Sequence, residues 1–320
     1  MAKFDEDPAK IAALRERLLE WYTLNRRDLP WRQNSDPYSI WVSEIMLQQT
    51  RVAVVVDRYQ QFMGRFPTLI ALALAPEQEV LAQWSGLGYY RRARMLHKAA
   101  QFVAAHQGGN LPQRAEQLRT LPGIGAYTAA AVASIAHGEP VAVVDGNVER
   151  VLCRLAGWEA GSRKGGGATL RRKIEDLVGK LLDPARPGDF NQAIMELGAT
   201  VCAPRNPQCL VCPLAVDCKT QGEHKTPRRA PMMSRAVGYA LSVRTSVAPE
   251  KRGGPGVREV LLEQRPASQT VMPGMWELPM LLRADVPQKD LRMTVRHAIM
   301  QVNYYVRVRT VFEDDIAAMT

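Results

Sequence analysis

Four of the five cysteines lie between Cys202 and Cys218 in the pattern C-x6-C-x2-C-x5-C, and the chain changes character at this cluster. So dense a group of thiols reads as a metal site in a reducing compartment, which forces the surrounding residues to fold about an ion or a cluster. Four thiolates suit zinc or an iron–sulfur cluster. Zinc ribbons bring two C-x2-C knuckles with a longer spacer, whereas Cys202, Cys209, Cys212 and Cys218 provide one knuckle and compact spacing. Cys153 stands apart in the apolar run Val151 to Leu155 and reads as an inert buried thiol.

Before the cluster the apolar period is helical. Leu14, Leu18, Leu19, Trp21 and Tyr22 mark a first amphipathic helix, and Asp36-Pro37 supplies a helix start with an N-cap and a proline at the first helical position. Further helices are expected near 52–63, 76–84, 90–106, 114–119, 126–137, 147–156, 168–182 and 189–201, with Gly- and Pro-rich breaks between them and a glycine-rich loop at 163–167. Residues 226–235 are basic and proline-bearing, as a linker would be. Beyond them Val237–Arg244, Glu259–Gln264 and Val302–Val311 read as strands. The expectation is a mostly α domain over 1–225 and a smaller α/β domain over 236–320. Hydrophobic residues at 46% support folded cores. The formal charge of +10 favours a polyanionic partner. No apolar run spans a bilayer and the N-terminus lacks the basic and apolar regions of a secretory signal, so a cytoplasmic location and no membrane partner are expected.

Leu121-Pro122-Gly123-Ile124-Gly125 joins two helical segments. Glycines flanking one apolar residue at a helix N-terminus expose backbone N–H groups able to hold a phosphate, although an ordinary helix–helix turn has the same appearance. Glu44 is the only acid in residues 37–56, among Trp, Ile, Met, Leu and Val. From this pattern alone two readings stay open, a solvated acid on a polar helix face and a buried carboxyl whose raised pKa keeps a proton near neutrality.

LPGIGAYTAAAVASIA with VAVVDGNVERV, and SEIMLQQT preceded by LPWR, resemble the helix-hairpin-helix DNA glycosylases, and within them the adenine-removing branch. The resemblance implies that Gly123 and Gly125 grip a DNA phosphate. It implies that Glu44 protonates N7 of a flipped adenine and that Asp145 stabilises the sugar cation, with Tyr127 and Asn147 orienting Asp145. Gln49 and Tyr89 would be the wedges that enter the duplex, and Trp31, Arg32, Leu47 and Glu196 would line the adenine pocket. Tyr90 reads as core filler, and Arg91, Arg92 and Arg94 as backbone-phosphate contacts. The lyase branch carries a lysine where this chain has Tyr127, so a monofunctional enzyme is implied. The cysteine spacing is similar to that of a [4Fe–4S] cluster in the same family.

Residues 258–279 resemble the Nudix-like domain attached to adenine glycosylases, without the glutamate cluster of the pyrophosphatases. The partner implied is nucleoid double-stranded DNA with adenine opposite 8-oxoguanine or guanine, bound by a monomer. Relatives carry a His-x-Phe-Ser-His loop for the oxidised base. The matching stretch here is His297-Ala298-Ile299-Met300-Gln301, which keeps only the first histidine. An endonuclease III-like pyrimidine glycosylase with lyase activity and a non-catalytic iron–sulfur DNA-binding protein are the competing readings.

Overall fold

The computed structural model describes residues 7–159, 167–224, 231–246, 257–266, 268–269, 272–284, 286–299, 301–316 and 318. Residues 163–166 of the glycine-rich loop, 226–230 of the linker, and Met300 lie outside them. The chain divides into two compact units, Met1–Pro227 and Arg228–Thr320.

In the first unit the described residues form α1 Pro8–Asn25, α2 Pro37–Leu47, α3 Val52–Arg65, α4 Leu69–Leu74, α5 Glu77–Gln83, α6 Arg91–His106, α7 Ala115–Leu118, α8 Ala126–His137, α9 Gly146–Ala156, α10 Gly167–Leu181 and α11 Pro187–Thr200. Asp36 starts α2 by accepting hydrogen bonds from the backbone N–H groups of Tyr38 at 3.4 Å and Ser39 at 2.9 Å. Every residue of α2 from Tyr38 to Met46 is buried, so this helix runs through the interior rather than along a surface. Its neighbour α8 buries the small residues Thr128 to Ser134, which lets α2 and α11 approach closely. The stripe Ile11, Leu14, Leu18, Leu19 and Tyr22 of α1 joins a core with Val148, Leu152, Phe190 and Ile194. Each large apolar side chain so enclosed contributes about 1.5–3 kcal/mol. The helix α4 was not legible in the sequence. LIALAL is too short to show a period, and its start is fixed by Thr68, whose hydroxyl accepts from Ala71 N at 3.1 Å.

The second unit is built mainly of strands, with one short helix, α12 Glu313–Ile316, among the described residues. Strand β1 Met233–Leu241 pairs in parallel with β7 Val302–Thr310, which pairs antiparallel with β6 Leu291–Ile299. Two small antiparallel pairs, β2 Val243–Ser246 with β3 Val257–Val260 and β4 Glu263–Gln264 with β5 Trp276–Glu277, complete it. The linker expectation therefore ends too late. Met233 to Arg235 already belong to β1, because the ladder to Val302, Asn303 and Tyr304 gives their backbone partners that composition does not reveal. The strand β6 was missed as well. Its seven central residues are exposed and show no apolar face, and its order comes from β7. His297 consequently sits within a strand opposite Tyr304, and Gln301 in the turn that follows.

Candidate active site

Glu44 on α2 is 7% exposed, and its Oε2 accepts a hydrogen bond from the Tyr127 hydroxyl of α8 at 2.7 Å. Burial pushes its pKa up to about 7, and the charge of Asp145 adds to the rise, while the Tyr127 hydrogen bond and Arg32 oppose it. The tyrosine lies 3.2 Å from Met195 Sδ of α11, and burial together with Glu44 holds its pKa well above the usual phenol value. It is a fixed hydrogen-bond donor to the acid.

Asp145 caps α9. Its Oδ1 accepts from Val148 N at 2.7 Å and its Oδ2 from Asn147 Nδ2 at 2.9 Å. Asn147 is therefore on Asp145, whereas Tyr127 was expected on Asp145 and is found on Glu44. The two oxygens of Asp145 are already engaged by its own helix, and the buried Glu44 carboxyl needs a partner more. Gly198 of α11 permits this arrangement, since a Cβ there would lie 2.6 Å from Asn147 Cβ.

The pocket residues behave differently. Glu196 is 1% exposed and clamped by Arg27, through Nε at 2.6 Å and Nη2 at 2.8 Å, and by Arg32 Nη2 at 2.9 Å. Burial alone raises a carboxyl, but these hydrogen bonds and charges outweigh it and hold Glu196 at about 2. Glu196 is thus an anchor between α11 and the segment before α2, not an open pocket acid. Trp31 is buried edge-on against Tyr59 with ring centroids 5.4 Å apart, and Leu47 is half-buried at the end of α2.

Gln49 and Tyr89 are both exposed, and both occupy the left-handed backbone region, with φ of 57° and 47°. Such conformations cost about 1–3 kcal/mol for residues other than glycine and are held only where the surroundings impose them. Arg92 does not reach outward for phosphate. It is half-buried, its guanidinium is filled by backbone carbonyls, and burial lowers its pKa to about 10. Arg94 pairs with Glu77 at 3.1 Å, while Arg91 is exposed and Tyr90 half-buried.

The hairpin lies between α7 and α8. Gly123 has φ of 75°, and a Cβ on it would approach Met95 Cβ to 2.5 Å, so no other residue fits without displacement. Gly125 is the N-cap of α8 with open space beside it.

The four cysteines line one cavity together with Arg154 and Val201. Among the described residues no three His, Cys, Asp or Glu side chains converge closely enough to hold a single ion. Burial pushes Cys212 up to about 11, aided by the neighbouring thiols against one backbone hydrogen bond. Arg154, 3% exposed, donates to Cys202 Sγ at 3.3 Å and to the carbonyls of Ala203 and Pro204. Arg150 bonds Cys202 O at 2.9 Å and Asn147 Oδ1 at 2.8 Å, linking the cysteine loop to the Asp145 cap. Sequence reasoning missed Arg27, Arg150 and Arg154. The spacing of Asn147, Arg150 and Arg154 on one face of α9 was the available signal. Cys153 is fully buried and pushed up to about 11, mainly by burial.

Residues 42–175 match the family described as HhH-GPD superfamily base excision DNA repair protein. A solved thermostable thymine-DNA glycosylase is 31% identical with a TM-score of 0.60, over 67% of this chain and 97% of that one. The chain belongs to the HhH-GPD superfamily. A non-covalent endonuclease III–DNA complex shares the fold at 22% identity and a TM-score of 0.56, over 67% of this chain and 96% of that one. Human adenine DNA glycosylase is 47% identical over 224 residues, 67% of this chain and 40% of that protein. The Arabidopsis thaliana adenine DNA glycosylase is 38% identical over 304 residues, 84% of this chain and 47% of that protein. The chain thus spans less than half the length of these two curated relatives. No helix among the described residues is long and apolar enough to cross a membrane.

Proposed function

We propose that this HhH-GPD chain is a monofunctional adenine DNA glycosylase that hydrolyses the N-glycosidic bond of adenine opposite 8-oxoguanine or guanine. One observation carries the reading: a buried carboxyl at a pKa of about 7, held by Tyr127 and close enough to Asp145 to feel its charge. Glu44 gives its proton to adenine N7, and the base leaves as a neutral molecule. Such acid catalysis is worth about 10² to 10⁴ in rate. As the bond breaks, positive charge grows on the sugar, and the Asp145 carboxylate, fixed by Val148 N and Asn147, faces it. Water completes the hydrolysis. Gly123 and Gly125 hold a phosphate of double-stranded DNA through the α8 N-terminus. Gln49 and Tyr89 fill the space left by the flipped base, which offsets a few kcal/mol of lost stacking and pairing. Trp31, Arg32 and Leu47 border the base.

The test is single-turnover release of adenine from duplexes carrying 8-oxoguanine, guanine, cytosine or thymine opposite. Release is expected only with the two purines, and the strands should stay intact without alkali. Borohydride should trap little covalent complex, because Tyr127 cannot form a Schiff base. A strong trapped band makes another residue the nucleophile and restores the lyase reading.

The cysteines fit a [4Fe–4S] cluster, with four thiols around one cavity and a buried guanidinium beside Cys202. Cys202, Cys209, Cys212 and Cys218 would hold it, and it would fix the loop that Arg150 ties to Asn147. Cys202→Ser is expected to lower iron and sulfide content and DNA affinity together. Stoichiometric zinc in the wild type would replace the cluster assignment. The second unit we read as Nudix-like, reading the base opposite adenine. With His297 in a strand, Gln301 in the β6–β7 turn is the contact we favour there.

A further inference from the structure

A single guanidinium joins the two turns that bear Gln49 and Tyr89. Arg92 Nη1 donates to Ile45 O at 2.8 Å, to Met46 O at 3.0 Å and to Gln48 O, while Nη2 donates to Thr50 Oγ1 at 3.1 Å, Leu87 O at 2.9 Å and Gly88 O at 3.1 Å. The first three acceptors close the C-terminus of α2 just before Gln49, and the last two immediately precede Tyr89. Carbonyls at a helix end have no partner within the helix and must find one elsewhere. The Arg92 side chain also lies 5.4 Å from the Trp84 ring centroid and 5.6 Å from that of Tyr89. Gln49 and Tyr89, both exposed and both left-handed, thus spring from turns that share one half-buried cation.

We propose that Arg92 is a positioning residue that locks the Gln48–Thr50 and Gly86–Tyr89 turns to each other, so that Gln49 and Tyr89 enter the duplex as one rigid pair. This rests on the adenine glycosylase reading. Lysine cannot substitute, because a point charge with three donors does not span six acceptors in two turns, as a planar fork can. A phosphate contact makes the opposite demand, since lysine serves it well.

The experiment uses the full chain with its metal, compared as wild type, Arg92→Met and Arg92→Lys. Duplexes carry 2-aminopurine, or adenine itself, opposite 8-oxoguanine. Both variants are expected to bind with unchanged salt dependence, to lose the fluorescence rise that reports flipping, and to release adenine about 100-fold more slowly. With adenine opposite an abasic-site analogue, where little pairing has to be broken, the loss should shrink to about tenfold or less. Recovery of excision in Arg92→Lys, or an equal loss on both substrates, overturns the clamp. Should both variants fail to fold, Thr50→Val removes one acceptor at the junction and is expected to slow excision of paired adenine alone by about tenfold. No such selectivity overturns the proposal too. A wild type that releases no adenine defeats the glycosylase reading instead. The clamp is then judged by amide exchange over 45–50 and 86–90, which must speed up in Arg92→Met if the guanidinium orders both turns.

Discussion

Glu44→Gln is expected to bind adenine-containing lesion duplexes as the wild type does and to release adenine at least about 10³-fold more slowly. The amide keeps the shape and the acceptor for the Tyr127 hydroxyl but has no proton to give at useful acidity. The pH profile of the wild type tests the same point without a mutation. Because burial raises the carboxyl to about 7, the acid form persists up to that pH. The single-turnover rate should be flat below about 7 and fall roughly tenfold per unit above it. A rate that rises through this range would assign Glu44 as a base. Robust turnover by Glu44→Gln would remove it from the chemistry.

The same shift has a consequence for stability. A carboxyl raised from 4.5 to about 7 in the folded state holds its proton more tightly folded than unfolded. Its contribution is therefore greatest below 4.5, declines as pH rises to about 7, and stays at that lower level beyond. The decline amounts to about 3 kcal/mol. Glu44→Gln is neutral throughout and should be more stable than the wild type at pH 8, with no gain at pH 4. Calorimetric or denaturant curves at both pH values measure it. In the proposed mechanism catalysis is paid for by a buried acid that the fold would rather replace.

The helical unit was largely legible in the sequence because its interior follows a 3.6-residue period and its ends carry recognisable caps, such as Asp36 before α2 and Asp145 before α9. What stayed hidden depends on contacts distant in sequence. Glu196 looked like a pocket acid until Arg27 and Arg32, more than 160 positions away, were seen to saturate it. Arg92 reads as one of three exposed arginines on a helix, and only the folded turns show that carbonyls from α2 and from Gly86–Tyr89 converge upon it. Tyr127 shows the limit of carrying roles over from a resemblance. The position was identified, but its hydrogen-bond partner is Glu44. In the strand-rich unit β6 escaped because its burial alternates on neither face, so period-two reasoning had nothing to detect.

Asp145→Asn is the second large effect expected. The substitution keeps the N-cap, since an asparagine oxygen can accept from Val148 N, and so the fold should survive with little change. Its new amide group would face Asn147 Nδ2, donor against donor, at the position where the carboxylate now accepts at 2.9 Å. Asn147 cannot simply turn over, because its Oδ1 is held by Arg150 at 2.8 Å. The variant therefore loses the negative charge and disturbs the group beside it. Adenine release is expected to fall by about 10² to 10³, the usual cost of removing one preorganised electrostatic partner of a transition state. A stability defect would produce a similar loss, so binding must separate the two. A duplex bearing a cationic pyrrolidine at the target sugar mimics the developing charge, whereas a tetrahydrofuran abasic analogue has the same outline without it. Against the cation, Asp145→Asn should bind on the order of tenfold or more weakly than the wild type. Against the neutral analogue it should bind equally well. Equal loss for both ligands would mean that Asp145 serves only as the cap of α9, and that the sugar cation is stabilised elsewhere.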